Sequence, residues 1–183
     1  MEEQQLIKGC NRKENKAQKQ LFETYYRGTY HVAMRYLANH HDTEDVLIIS
    51  FSKIFNHINK FEYRGEGSLL RWIKTIVINE SLRFLSQKKK LKYEEENEGL
   101  YFNSMVAEID TIDVEEVYLI LESMPVGYRT VFNLFALEGF AHKEIASMLN
   151  ISENTSKSQL NKARNYIINK LEKKIKYGIK QSR

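Results

Sequence analysis

The chain has 183 residues, 42% of them hydrophobic, enough to fill the core of one domain or of two small ones. Its formal net charge is +4, which makes an acidic partner plausible, and its single cysteine, Cys10, excludes an intrachain disulfide or a cysteine-rich zinc site and suits a reducing cytoplasm. There is no apolar signal core at the start and no run near the ~20 apolar residues of a membrane span, so neither export nor membrane insertion is expected.

Charge is unevenly spread. From Glu94 to Tyr118 there are nine acidic residues and no Lys or Arg, whereas Lys157 to Arg183 holds nine basic residues and one acidic. The pattern suggests a phosphate-facing end and a separate acidic connector.

The polar residues up to about Asn15 read as a frayed end. A helix is expected from Lys16 to about Ala38, where Leu21, Phe22, Tyr25, Tyr26, Tyr30, Ala33, Met34 and Leu37 recur at three and four residues. Asn39-His40-His41-Asp42 reads as a turn, with Asp42 as the cap of the next helix. His40, His41 and Asp42 are not read as metal ligands, since adjacent loop histidines rarely converge on one ion. The second helix, roughly Thr43 to Lys60, carries a core stripe of Leu47, Phe51, Ile54, Phe55 and Ile58. A wheel turning about 100° per residue puts Asp42, Asp45, Val46, Ile49, Lys53 and Asn56 on the other side. Apolar Val46 and Ile49 among charges there fit a partner surface.

The loop Phe61-Glu62-Tyr63-Arg64-Gly65-Glu66-Gly67-Ser68 leads into a third helix, Leu69 to about Lys90. That helix interleaves Arg71, Trp72, Lys74, Asn79 and Arg83 with apolar positions. Rings beside cations suit single-stranded nucleic acid, because bases stack on rings while cations follow phosphates. Taken alone, the segment fits equally well a core tryptophan and a solvated helix end. The pattern breaks from Leu91 to about Asp113, an exposed linker. Helices are then expected from Val114 to Ser123 and from Pro125, in its first turn, to near Gly139.

Two further helices follow, His142–Leu149 and Glu153 to beyond Leu171, separated by Asn150-Ile151-Ser152, with Ser152 placed to cap the second. A short helix, a tight turn and a basic second helix spell helix-turn-helix. With Leu160 at zero, Ser156, Ala163, Ile167 and Leu171 share the packing side, and Thr155, Ser158, Lys162, Asn165 and Asn169 point outward, where they can bond base edges and phosphates. A surface hairpin with an ordinary polar face is the alternative.

Taken together, DTEDV (Asp42 to Val46), FSKIFNHINKFEYRGEG (Phe51 to Gly67), LLRWIKTIVINESLRFL (Leu69 to Leu85) and MPVGYRTVFNLFALEGFAHKEIASMLNISENTSKSQLNKAR (Met124 to Arg164) resemble the sigma-70 family of bacterial transcription initiation factors. The likeness runs from about Leu21 to Leu171. It is to the smallest members, the extracytoplasmic-function group, which keep only regions 2 and 4. The resemblance implies an all-α chain of two small helical domains, a region 2 three-helix bundle at 16–92 and a region 4 four-helix domain at 113–174, joined by an acidic linker at 93–112. It implies a sigma factor that directs core RNA polymerase to promoters and assists melting, with no catalytic residue, cofactor or metal of its own. It further implies a cytoplasmic monomer, and an anti-sigma factor, often membrane-bound in the family, as a candidate regulator.

Carried over by position, the polymerase-binding face is Asp42, Asp45, Val46, Ile49 and Lys53. The minus-10 element falls to Phe61, Tyr63, Arg64, Arg71, Trp72, Lys74, Asn79 and Arg83. The minus-35 element falls to Thr155, Ser158, Gln159 and Lys162, with Lys157 and Arg164 as phosphate or structural cations; Arg164 can alternatively pair with Glu144. The linker would thread toward the polymerase active-site channel. The sequence departs from the family where Ile48-Ile49 replaces a frequent Gln-Glu, Asn154 a frequent glycine and Ser156 a frequent valine. Two other readings stay open: a helix-turn-helix regulator binding duplex DNA without polymerase, and a sigma-like interaction protein that does not initiate transcription.

Overall fold

The computed structural model describes residues 3–88 and 114–181. The linker reading at 93–112 lies outside the described residues. The chain forms two compact units, Met1–Lys88 and Lys89–Arg183, and the described residues are helical with no strand.

The amino-terminal unit holds α1 (Glu3–Asn11), α2 (Asn15–Leu37), α3 (His40–His57) and α4 (Ser68–Gln87). The amino end is therefore not frayed. Leu6, Ile7 and Cys10 lie on one face of α1 and are buried against the bundle. Gly9 permits the close crossing, since a Cβ there would lie 2.6 Å from that of Ala17. The α2–α3 corner is tight: Ala38 takes a left-handed φ of 50° and its N–H returns to Met34. Asn39, not Asp42, caps α3, its side chain accepting from the Asp42 N–H at 2.9 Å. The two histidines have other roles, His40 bonding the Tyr30 hydroxyl and His41 lying 3.9 Å from Asp45. Helices α2, α3 and α4 each pack on the other two, around Leu21, Tyr36, Leu47, Ile54, Leu69, Ile73 and Leu85.

The carboxy-terminal unit holds α5 (Val114–Ser123), α6 (Val126–Phe132), α7 (His142–Leu149) and α8 (Glu153–Gln181). Pro125 sits at the cap of α6, one residue before its expected place. Helix α6 widens into a π turn over Asn133–Leu137, where the Glu138 N–H reaches back five residues to Asn133 O. Leu121, Met124 and Ala163 form a core with Tyr128, Phe132, Tyr166 and Ile167 around it. Arg129 is buried, and its Nη1 donates to the carbonyls of Leu121, Glu122 and Met124 at 3.3, 3.0 and 3.1 Å. It thereby adds a donor to carbonyls at the end of α5, where helical partners run out; Leu121 O also accepts from the Met124 N–H at 3.1 Å. Burial pulls its pKa down to about 10, against the opposing pull of Glu122. The Tyr166 hydroxyl ties α8 to α5 by donating to Ser123 O at 2.7 Å.

Candidate functional site

The aromatic loop of the amino-terminal unit is held from below. A 3-10 turn, Ile58–Lys60, ends α3, and Ile58 is buried. Ser68, the first residue of α4, accepts from the Arg64 N–H at 3.2 Å and donates to Gly65 O at 2.6 Å. Gly65 and Gly67 supply φ of 101° and 75°, which other residues rarely adopt. The loop thus folds back so that the ring of Phe61 meets that of Trp72, centroids 5.2 Å apart and tilted by 42°. Lys60, Phe61, Glu62, Arg64, Arg71 and Trp72 line an open cleft of about 520 Å³. Trp72 also walls a second hollow of about 360 Å³, shared with Lys53, His57, Lys60, Ile76, Asn79 and Glu80. Four of the expected strand-binding residues, Phe61, Arg64, Arg71 and Trp72, therefore converge on one cleft, and Asn79 joins the neighbouring hollow. Tyr63 stays exposed on the loop, Lys74 lines neither space, and Arg83 reaches Glu80.

The outer face expected of α3 needs correction. Val46 is 1% exposed, and Asp42 is buried with its carboxylate accepting from Lys88 Nζ at 2.6 Å. Lys53 turns to Glu80 of α4. A wheel with one core stripe misassigned them because α3 is flanked by both α2 and α4, so two sides of it are covered. Asn56 faces water as expected, and the exposed residues further include Glu44, Asp45 in part, Ile48 at 70% and Ile49 at 38%. Phe22, also exposed, meets the Phe51 ring edge-on, centroids 4.8 Å apart.

In the carboxy-terminal unit the helix-turn-helix forms as read. Asn150 closes α7 with a φ of 53°, and Ser152 Oγ accepts from the Thr155 N–H at 3.0 Å to cap α8. Ser156, Leu160, Ala163 and Leu171 are buried as the wheel placed them. Gln159 is not a surface residue: it is 0% exposed, and neither its Oε1 nor its Nε2 has a hydrogen-bond partner among the described residues. The packing side extends further round the helix than one stripe, because α8 touches α5, α6 and α7. Lys162 is drawn back over the Tyr128 ring, 5.5 Å from its centroid, and Thr155 and Ser158 are half-buried. Asn165 and Asn169 are exposed as the wheel placed them, and Asn154, Lys157, Asn161 and Arg164, spaced by three and four residues, form an exposed stripe beside them. Asn154 and Asn161 were not among the expected DNA-facing residues, although counting back and forward from Lys157 at helical spacing finds both.

Glu144 is engaged at the start of α7, accepting from the Ala141 N–H at 2.7 Å. Beside it, the His142 ring stacks on Phe135 at 4.6 Å, and Nδ1 lies 2.9 Å from Ser156 Oγ. Burial lowers the His142 pKa, with the charges of Lys157 and Arg164 adding to the effect and Glu153 opposing it. Lys157 and Arg164 of α8 are thus close enough to be felt at the first residue of α7. Among the described residues no helix is long and apolar enough to cross a membrane, and no group of three or more His, Cys, Asp or Glu is placed to hold a metal.

Two family models match the chain: Sigma-70 region 2 over residues 21–91, and Sigma-70, region 4 over residues 114–167, together more than half of its length. The ECF RNA polymerase sigma-E factor of Haemophilus influenzae is 25% identical over 183 residues, covering 93% of this chain and 95% of that protein. The ECF RNA polymerase sigma factor SigM of Bacillus subtilis is 23% identical over 148 residues, covering 79% and 89%. Among solved structures, the sigma factor RpoE in complex with the anti-sigma factor NepR from Bartonella quintana shares the fold, with a TM-score of 0.51 and 20% identity over 84% of this chain and 96% of that one. The aromatic cleft lies within the first matched region and the helix-turn-helix within the second, and the chain belongs to the sigma-70 family, in its extracytoplasmic-function group.

Proposed function

We propose that this sigma factor brings core RNA polymerase to promoters with a division of labour between its units. The exposed strip of α3, Asp45 with Ile48 and Ile49, meets the polymerase; where a polar pair is frequent in the family, this chain offers a largely apolar contact. The cleft of Phe61, Arg64, Arg71 and Trp72 takes a base of the opened minus-10 strand by stacking, with the guanidinium groups on its phosphates. Lys157, Arg164, Asn154 and Asn161 of α8, flanked by Thr155, Ser158 and Lys162, face the minus-35 duplex. The polymerase performs the chemistry, and the protein acts in the cytoplasm. An anti-sigma factor of the kind seen with the Bartonella protein is the expected regulator.

The observation that carries this reading is the ring-and-cation cleft in one unit together with a capped helix-turn-helix in the other. Run-off transcription with core polymerase and genomic fragments tests it: discrete new transcripts are expected only when the protein is added. Polymerase binding without transcripts would favour the interaction protein. Duplex binding with no affinity for polymerase would favour the regulator. In duplex titrations Lys157→Ala should weaken binding about tenfold and make its salt dependence shallower by about 0.9, while Lys162→Ala, whose ammonium lies on Tyr128, should cost less.

A further inference from the structure

Glu80 lies in the hollow beside Trp72 and is 7% exposed. Cations from two helices occupy its two oxygens. Lys53 Nζ of α3 donates to Oε1, and Arg83 of α4 donates to Oε2 through Nε at 3.1 Å and Nη2 at 2.9 Å. The acid is buried but its partners are not: the Lys53 and Arg83 side chains keep 41% and 50% of their exposure. Two positive charges on one negative leave a surplus of one, and it faces water. A free lysine or arginine loses rotamer freedom when it grips a phosphate, whereas one already held by a carboxylate has less to lose. Lys60, His57 and Asn79 add hydrogen-bonding groups around the same space, and Trp72 is the wall it shares with the Phe61 cleft.

We propose that Glu80 is a positioning residue, presetting Lys53 and Arg83 as a cation pair for a backbone phosphate of the single strand whose base stacks at Phe61 and Trp72. Lys53 then belongs to the strand-binding surface and not to the polymerase face. This rests on the strand-binding reading of the amino-terminal unit.

The test uses holoenzyme, reconstituted from core polymerase and the full chain. It is titrated with a fluorescein-labelled nontemplate-strand oligonucleotide from a promoter mapped by run-off transcription. Glu80→Gln keeps the shape and removes the charge. Charge alone would tighten binding, because a negative group is removed; positioning acts in the opposite direction. The variant should bind about tenfold more weakly, with a salt dependence shallower by about 0.7 for each phosphate no longer held. Lys53→Met should weaken the strand in the wild-type background and add little to Glu80→Gln. Binding by Glu80→Gln that is unchanged or tighter overturns the proposal. Should that variant fail to fold, Lys53→Met alone decides: weaker strand binding at unchanged polymerase affinity supports the proposal, and the reverse overturns it. If wild-type holoenzyme ignores the strand, the strand-binding reading itself falls and this inference with it.

Discussion

The two units bury charge in opposite senses. In the amino-terminal unit the buried charges Asp42 and Glu80 are negative, and each is met by long side chains reaching in from the surface. Among the described residues of the carboxy-terminal unit the buried charge is Arg129, and three backbone carbonyls are among the groups that meet it. A surface lysine can let go and find water, so the first kind of contact tolerates rearrangement. Carbonyls at a helix end cannot leave without unwinding it, so the second kind fixes a corner. The contrast fits the work proposed for each unit: cations that must also meet a strand, and a helix-turn-helix that must hold its shape.

Arg129→Met should break the contrast most. It leaves the carbonyls of Leu121, Glu122 and Met124 without that donor, and the carboxy-terminal unit should lose about 2–3 kcal/mol in chemical denaturation. Duplex binding should fall while strand binding persists. Asp42→Asn removes a charged bond to Lys88 and a favourable charge in the first turn of α3. Because Lys88 can rehydrate, the expected loss is smaller, about 1–2 kcal/mol. Gln159→Met sharpens the comparison from the other side. An amide with neither polar atom bonded gives way to an apolar chain of similar size, and melting should show a gain of about 1 kcal/mol.

Much of the helical frame was legible because three- and four-residue spacing survives in α2, α4 and α8. What was not legible has two physical causes. Wheels with a single core stripe fail when a helix is covered on more than one side, which is how Val46 went inside; Gln159, a DNA-facing residue by family resemblance alone, is buried for the same reason. Pairs far apart in sequence leave no local trace: Lys88 and Asp42 are 46 residues apart, and Lys53 and Glu80 are 27. Helix α1 was missed because Leu6, Ile7 and Cys10 are too few to set a period among polar neighbours. Arg129 was missed because an arginine is taken to be solvated unless something shows otherwise. Of the expected site residues, Phe61, Arg64, Arg71 and Trp72 meet at one cleft, Asp42 and Val46 of α3 and Gln159 of α8 are buried, and Lys157, Arg164, Asn165 and Asn169 of α8 are exposed.

The smallest effect concerns His142. Its pKa in the fold is below the ordinary 6.5, so above that value it is neutral folded or unfolded and costs nothing. As pH falls below 6.5 the unfolded chain takes up the proton first, and stability should decline until the folded ring also titrates. Lys157→Ala removes one repelling charge and should move the His142 titration upward, read from its ring proton shifts in NMR.

The π turn at Asn133–Leu137 has a consequence for chain length. It fits one more residue into the end of α6 than an α-helical turn would. Deleting one residue there would let the helix close in the ordinary way. A wide turn and an ordinary one end at nearly the same azimuth, so the chain entering α7 would leave α6 in nearly its present direction, and Phe135 would shift along the helix relative to His142. A one-residue deletion at this bend is therefore absorbed by the turn itself, whereas the same deletion in an ordinary turn of α6 would rotate everything that follows by about 100°.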